Sequence, residues 1–234
     1  MSHRRTAMRP SRDRLFHVLR YDGDMLLIAA IDAVYDAFSD VERPRFVDAC
    51  PCCMTADECD TLTSKPLREL SSDELNEYSG DAMLTVGSED DYSYFLPRIL
   101  ELSIADDSEW LNSIEITAHK MQMAGFNKWS ERKQSVIKNL WLEVIRQDVT
   151  SGSDPEMLGW AAWDIGSWLA GATLIPIPAS PLLAALESSP EVIRELYNLN
   201  FETLFQGRLK NAFLHEPSAG QAEIASWLRD SINE

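Results

Sequence analysis

The amino-acid sequence predicts an all-α protein, and three observations support that fold class. Apolar residues recur at the three- and four-residue spacing of a helix face, most clearly at Val136, Ile137, Leu140, Trp141, Val144 and Ile145. Two segments begin with a serine that is followed three residues later by an acidic residue. Alternating β-branched residues and Asn-Gly turns are nearly absent. We therefore predict about nine helices, packed as stacked antiparallel helical hairpins in an irregular bundle or a HEAT-like array.

The composition fits one domain preceded by a short tail. The chain has 234 residues, and 45% of them are hydrophobic, which is enough for a packed core. We expect residues 1–13 to form a basic disordered tail and residues 14–234 a single all-helical domain, with a candidate sub-boundary near 150–154. Neither an apolar run long enough to span a bilayer nor a secretory signal is visible. Together with four clustered cysteines, this predicts a location in the reducing cytoplasm.

In residues 14–49, helix N-caps and helix-breaking residues predict where the first elements begin and end. Residues 14–21 form a short amphipathic piece, and Asp24 is a candidate N-cap for a helix from Met25 to about Phe38. Residues 39–49 contain a proline and are predicted to be a loop that leads into the cysteines. For residues 14–21 the pattern leaves both a helix and a strand open.

The central part of the chain has the strongest helix-start signals. Ser71-x-x-Glu74 is a capping box, and we expect its helix to continue to about Val86, with Gly87 as the left-handed residue after its end. Ser88-x-x-Asp91 begins a second helix, which Pro97 either kinks or interrupts. Two helices joined so closely must double back on each other as a helical hairpin.

The second half of the chain is predicted to be helical throughout. Asp107 or Ser108 is expected to cap a helix that ends near Gly125, and Ser130 begins the most regular helix of the chain. The last helix is predicted from about Ala219 to Ile232. Three cap-plus-proline pairs predict further helix starts, at Asp154-Pro155, Ser180-Pro181 and Ser189-Pro190.

Three tryptophans mark the helix predicted after Asp154. Trp160, Trp163 and Trp168 make it apolar on nearly all sides, so we expect it to be central and its tryptophans to pack in the core. The alternative is that they line a ligand groove or a partner surface. The following segment Leu174–Pro178 contains two prolines and is predicted to be a non-helical apolar connection.

The cysteines form the one motif that points to a metal. Cys50 and Cys53 have the C-x-x-C spacing of a zinc knuckle, and Cys52 or Cys59 could complete a tetrahedral site together with one histidine, for which His17 is the candidate. Zinc is the one cofactor that this pattern suggests. Two alternatives stay open: redox chemistry of thiolates near a helix start, and simple packing of small buried residues.

The net charge of −17 is unevenly distributed, which bears on partners. Residues 1–20 are basic, whereas residues 71–118 are strongly acidic, so the main body should repel nucleic acid. We expect a basic protein partner, and an immunity protein that neutralises a cationic toxin would suit this surface. The candidate partner-binding residues are the acidic side chains of the two central helices: Asp73, Glu74, Glu77, Asp81, Glu89, Asp90 and Asp91. The alternative is that they only keep the protein soluble.

Three segments together resemble a family of bacterial all-helical proteins of unknown function: Cys50-Pro51-Cys52-Cys53, PLREL (Pro66–Leu70) and FLPRILEL (Phe95–Leu102). In that family a histidine often precedes the C-x-x-C element, and here Ala49 takes its place. The resemblance covers less than a quarter of the chain. It implies a helical fold and brings no activity with it.

No motif of a common enzyme class is present. The sequence lacks a phosphate-binding G-x-x-x-x-G-K-[ST] loop, a dinucleotide fingerprint, an H-E-x-x-H zinc helix and a G-x-S-x-G elbow. Glu115 lies four residues before His119, and not three, so the E-x-x-H spacing of a di-iron bundle is missing as well. The sequence therefore favours binding over catalysis.

Overall fold

A computed structural model describes residues 22–105, 112–214 and 216–233 of the chain. The predicted tail, the amphipathic piece at 14–21 and the predicted caps Asp107 and Ser108 lie outside these residues. Ten α-helices run through the described part: α1 (Asp22–Ala37), α2 (Ala56–Ser64), α3 (Ser72–Asp81), α4 (Glu89–Ile104), α5 (Ile114–Met123), α6 (Glu131–Ser151), α7 (Leu158–Ala172), α8 (Ala179–Leu186), α9 (Pro190–Leu204) and α10 (Ala219–Asn233).

The all-α prediction is confirmed. Over the described residues no strand is formed, and only two isolated β-bridges occur, both at Val86. The helices pack as a bundle in which α1 lies mainly against α6 and α7 contacts α5, α6 and α9. Because α1 and α6 are far apart in sequence, this arrangement fits the irregular bundle better than an array in which each unit contacts only its neighbours.

The buried residues form one continuous apolar core. Trp141 of α6 and Trp168 of α7 lie at its centre, with ring centroids 4.7 Å apart in an edge-to-face contact. The Trp141 indole N–H donates to the Trp168 carbonyl at 3.1 Å, so its one polar atom is satisfied. The tryptophans of α7 differ, because Trp168 is buried while Trp163 is 61% exposed. The expectation that all three pack in the core is therefore wrong for Trp163.

Local caps determine where the central helices begin. Ser71 with Glu74 and Ser88 with Asp91 both form the predicted capping boxes. Ser130 caps α6 through a hydrogen bond from the Lys133 backbone N–H. Each such cap satisfies backbone donors that the first turn of a helix leaves unpaired, and is worth about 1 kcal/mol.

Several predicted boundaries need correction. α3 ends at Asp81 and not near Val86, because residues 82–87 leave the helix to form the two bridges. Gly87 has the expected positive φ of 66°, but it lies before α4 and not after α3. Pro97 neither breaks nor ends α4, which is a single helix.

Two of the three cap-plus-proline predictions also fail. α7 begins at Leu158, because the Asp154 carboxylate accepts a hydrogen bond from the Glu156 backbone N–H and forms a turn there instead of a helix cap. Ser180 lies inside α8, since that helix already begins at Ala179. The third pair is confirmed, with Ser189 as N-cap and Pro190 as the first residue of α9.

The PLREL and FLPRILEL segments are joined by a polar network. Arg98 of α4 donates through Nε to the Leu70 carbonyl at 2.7 Å and through a terminal N–H to Glu101, also at 2.7 Å. The same Glu101 carboxylate accepts the hydroxyl of Tyr35 from α1 at 2.6 Å. The Arg68 guanidinium lies 4.0 Å from the centre of the Tyr35 ring and pairs with Asp32. These motif residues therefore connect α1, α4 and the 3-10 turn Leu67–Glu69.

Within the described residues, no helix is both long and apolar enough to cross a lipid bilayer.

Candidate functional site

The cysteines lie on a tight loop before α2, which we call the thiol loop (residues 50–53). The Cys50 carbonyl accepts hydrogen bonds from the backbone N–H groups of Cys53, at 2.9 Å, and Met54, at 3.1 Å. These bonds fold the loop back on itself. Met54 is buried and attaches its end to the core, and the Thr55 and Glu58 capping box begins α2 directly afterwards. The loop is therefore held in one conformation by backbone contacts.

A second set of backbone bonds attaches the loop to the segment between α3 and α4. The Cys50 N–H donates to the Thr85 carbonyl at 2.9 Å, and the Gly87 N–H donates to the Asp48 carbonyl at 2.7 Å. Lys120 of α5, only 3% exposed, donates to the Ala82 carbonyl at 2.6 Å and stabilises the same segment. Burial lowers the pKa of this lysine, and its hydrogen bond attaches to α5 the segment that contacts the thiol loop.

Three thiols of the loop come close together. The sulfur of Cys52 lies 2.8 Å from that of Cys50 and 3.8 Å from that of Cys53, and all three sulfurs lie within 4.8 Å of one another. Sulfurs that share a tetrahedral zinc ion, each about 2.3 Å from it, are about 3.8 Å apart. The sulfur separations of the loop lie on either side of that spacing or match it, so the three thiols are candidates for holding one metal ion.

The protonation of the thiols is uneven. Hydrogen bonds with the neighbouring thiols of Cys50 and Cys53 raise the pKa of Cys52 to about 11. The Cys52 thiol in turn lowers the pKa of Cys50, because a hydrogen bond to a thiolate favours the charged form. Burial raises the pKa of the Cys59 thiol, and the nearby carboxylates of Asp60 and Glu58 raise it further.

The surroundings of the thiol loop are acidic. Within ten positions of it in the sequence lie two exposed arginines, Arg43 and Arg45, and six exposed carboxylates: Asp40, Glu42, Asp48, Asp57, Glu58 and Asp60. Catalytic and redox-active thiolates are usually found in electropositive places, because positive charge lowers the pKa of the thiol. Negative surroundings instead favour an added cation and disfavour free thiolates. The electrostatics therefore fit a metal site better than a nucleophilic or redox thiol.

The cluster overlaps in part with the candidate ligands. Cys50 and Cys53 both belong to it, and its third member is Cys52, one of the two cysteines considered for completing the site. Cys59 is half-buried on α2 and packs against the core, outside the cluster. His17 lies outside the described residues. The backbone turn brings Cys52, and not Cys59, beside Cys50.

The predicted partner-binding carboxylates fall into two groups. Asp73 and Glu77 of α3 and Glu89 and Asp90 of α4 are exposed. The remaining residues of the prediction have partners within the fold or are less accessible. Glu74 closes the cap of α3 and pairs with Lys65, Asp91 closes the cap of α4, and Asp81 is half-buried.

At the start of α4, basic residues lie beside the acidic ones. Glu89 and Asp90 line a groove of about 320 Å³, together with Lys128 from the turn after α5 and Lys133 from the first turn of α6. Phe38 and Trp129 form apolar parts of its wall, and Lys133 pairs with Asp40 at 2.8 Å. The start of α4 is therefore a mixed-charge region, whereas Asp73 and Glu77 of α3 lie outside that groove.

Comparison of the chain with protein-family models, with curated proteins and with solved structures found no match. The function must therefore be argued from the geometry of the molecule itself.

Proposed function

We propose that the chain is a metal-binding module whose site is the thiol loop. The observation that carries this proposal is the close approach of the Cys50, Cys52 and Cys53 sulfurs on a loop with fixed backbone geometry. Soft thiolate ligands select thiophilic ions such as zinc and Cu(I) over magnesium or calcium. The acidic surroundings support this, because bound cation offsets the charge of the thiolates and of the neighbouring carboxylates.

Cadmium titration tests this proposal directly. Reduced protein is expected to bind one equivalent of Cd²⁺ and to develop the ultraviolet absorption of cadmium–thiolate bonds. Cys50→Ser, Cys52→Ser and Cys53→Ser should each lower the affinity at least about tenfold, since each removes one of three metal bonds. Cys59→Ser is the matched control, and it should leave the titration unchanged. If no thiolate absorption appears in the intact chain, the proposal is wrong.

Zinc can be tested separately as the resident ion. Protein purified without a metal-affinity tag is analysed for metal content, both directly after lysis and after dialysis. Structural zinc sites bind tightly, so a content below about a tenth of an equivalent would remove zinc as the resident cofactor. Cadmium binding without resident zinc would leave a thiophilic site whose natural ion is a different one.

We also propose a second function, the capture of a basic protein, for which an immunity role towards a cationic toxin remains the candidate. The observation that favours it is the exposure of Asp73, Glu77, Glu89 and Asp90 on two consecutive helices of a chain with net charge −17. Opposite charge accelerates association and makes it sensitive to salt. This proposal does not depend on the thiol loop.

The test of the second function begins with a pull-down and mass spectrometry. For a partner found in this way, the association rate is measured with two double variants. One is the α3 pair, Asp73→Lys with Glu77→Lys, and the other is the α4 pair, Glu89→Lys with Asp90→Lys. The two are kept separate because the α4 pair lies in the mixed-charge groove. We expect the α3 pair to reduce the association rate more than tenfold at low salt. Reversal of Glu223 and Asp230 on α10 is the control of equal charge change. Equal effects of all three pairs would exclude a specific surface and leave only net charge.

A further inference from the structure

The donor set of the thiol loop has three members. Among the described residues, the group of candidate ligands ends at Cys50, Cys52 and Cys53. All three come from one four-residue loop, so they approach a bound ion from one side, and Cys52 is exposed to water. Structural zinc sites are usually closed by four protein ligands. A set of three sulfurs suits an ion that is complete with three bonds.

The proton balance of the site also matters. A divalent metal must displace the thiol protons into water, which becomes harder as thiols hold their protons more strongly. Close to the loop in sequence, exposed carboxylates outnumber the exposed Arg43 and Arg45, so further negative charge on three thiolates is disfavoured there. Three thiolates with Zn²⁺ would keep one negative charge on a surface that is already acidic. An ion that reacts with neutral thiols and gives a neutral product avoids both costs.

We infer that the thiol loop captures a trivalent thiophilic metalloid, of which arsenite is the simplest representative, as a three-sulfur adduct. This inference rests on the proposed metal-binding function and narrows its ion. In the reaction, As(OH)₃ and three Cys–SH groups give As(S–Cys)₃ and three waters. Each arsenic–oxygen bond is replaced by an arsenic–sulfur bond, and the departing hydroxide takes the thiol proton. Arsenic stays trivalent and no electron is transferred. Its lone pair occupies the direction in which the described residues supply no fourth ligand.

Intact-mass spectrometry of the reduced full-length chain with arsenite tests the inference. The expected adduct has the mass of one arsenic atom less three hydrogens, which reports three bonds to sulfur. Cys50→Ser, Cys52→Ser and Cys53→Ser should each lower the arsenite affinity at least about tenfold and change the adduct mass, whereas Cys59→Ser should change neither. Circular dichroism of every variant confirms that the helices are retained.

The pH dependence and competition with zinc separate this inference from the proposed function. Arsenite affinity should change little between about pH 6 and pH 7.5, because no net proton is released, while zinc affinity should fall steeply as the pH decreases. Arsenite should also displace zinc or cadmium from the loop. Tight zinc binding that arsenite does not displace would overturn the inference and leave the metal-binding proposal intact. An adduct mass that reports only two bonds to sulfur, with one hydroxyl kept on arsenic, would also overturn the inference. So would an arsenite affinity of Cys52→Ser equal to that of the unaltered chain. Failure to bind any of the three ions would remove both.

Discussion

Gly87 connects the fold to the thiol loop, and its replacement by alanine gives a sharp prediction. Its φ is +66°, in the left-handed region where a Cβ costs about 1–2 kcal/mol. A Cβ there would lie 3.2 Å from a ring carbon of Tyr78 and 3.3 Å from a carboxylate oxygen of Asp91. Tyr78 is fully buried and Asp91 closes the cap of α4, so neither can move freely. Crowding adds about 1 kcal/mol or more, for a total of about 2–3 kcal/mol.

Gly125→Ala is the matched control. Gly125 also has a positive φ, of 73°, but its added Cβ would meet only the flexible Lys128 side chain, at 3.7 Å. We therefore expect Gly125→Ala to cost only the backbone term, about 1 kcal/mol. Urea unfolding followed by circular dichroism gives the free energy of unfolding of both variants. Equal destabilisation of the two variants would contradict the packing described around Gly87.

The same pair reports on the site. The Gly87 N–H donates to the Asp48 carbonyl beside the thiol loop, so movement at Gly87 should shift the cysteines as well. We expect Gly87→Ala to weaken cadmium binding severalfold and Gly125→Ala to leave it unchanged. Unchanged cadmium affinity in a destabilised Gly87→Ala variant would show that the segment between α3 and α4 does not position the thiols.

Three further predictions concern the core and are checked by unfolding measurements. Tyr78→Phe should change the free energy of unfolding by less than about 0.5 kcal/mol, because the buried Tyr78 hydroxyl has no hydrogen-bond partner. Tyr92→Phe should cost about 1 kcal/mol, because the Tyr92 hydroxyl donates to the Thr117 carbonyl at 3.1 Å. A larger loss for Tyr78→Phe than for Tyr92→Phe would refute this assignment. Burial raises the pKa of both tyrosines, so with rising pH the two hydroxyls lose their protons in the unfolded chain before they do so in the folded one. The free energy of unfolding should therefore fall as the pH rises above about 10. If it falls with the same slope in the double variant Tyr78→Phe with Tyr92→Phe, these two residues are not the cause. Arg98→Gln should lower the free energy of unfolding by about 2 kcal/mol, because Glu101 keeps only one of its two hydrogen-bond donors. A loss below about 0.5 kcal/mol would show that the network between the PLREL and FLPRILEL segments does not stabilise the fold.

Features that depend on a few neighbouring residues could be predicted from the sequence. The capping boxes at Ser71 and Ser88 and the helix that follows Ser130 are of this kind, because a cap is formed within four residues. The same rule applies to Thr55 and Glu58, which begin α2, a helix absent from our prediction. This signal is as local as the other two.

Features that depend on distant parts of the chain could not be predicted in this way. The end of α3 at Asp81 follows from the bridge between Val86 and Ala49, whose pairing no local pattern encodes. The contact of α1 with α6 and the hydrogen bond from Lys120 to Ala82 are equally non-local. The position of Cys52 depends on a turn whose two hydrogen bonds both end at the Cys50 carbonyl. The C-x-x-C spacing alone therefore could not decide between Cys52 and Cys59 as the third sulfur.

The central claim is that three thiols of one loop act together on one thiophilic ion. X-ray absorption at the cadmium edge of the singly loaded protein counts the sulfur atoms bound to the metal. We predict three sulfurs in the intact chain and in Cys59→Ser, and two in Cys52→Ser. A first shell of oxygen and nitrogen, or a sulfur count that Cys52→Ser leaves unchanged, would contradict the claim.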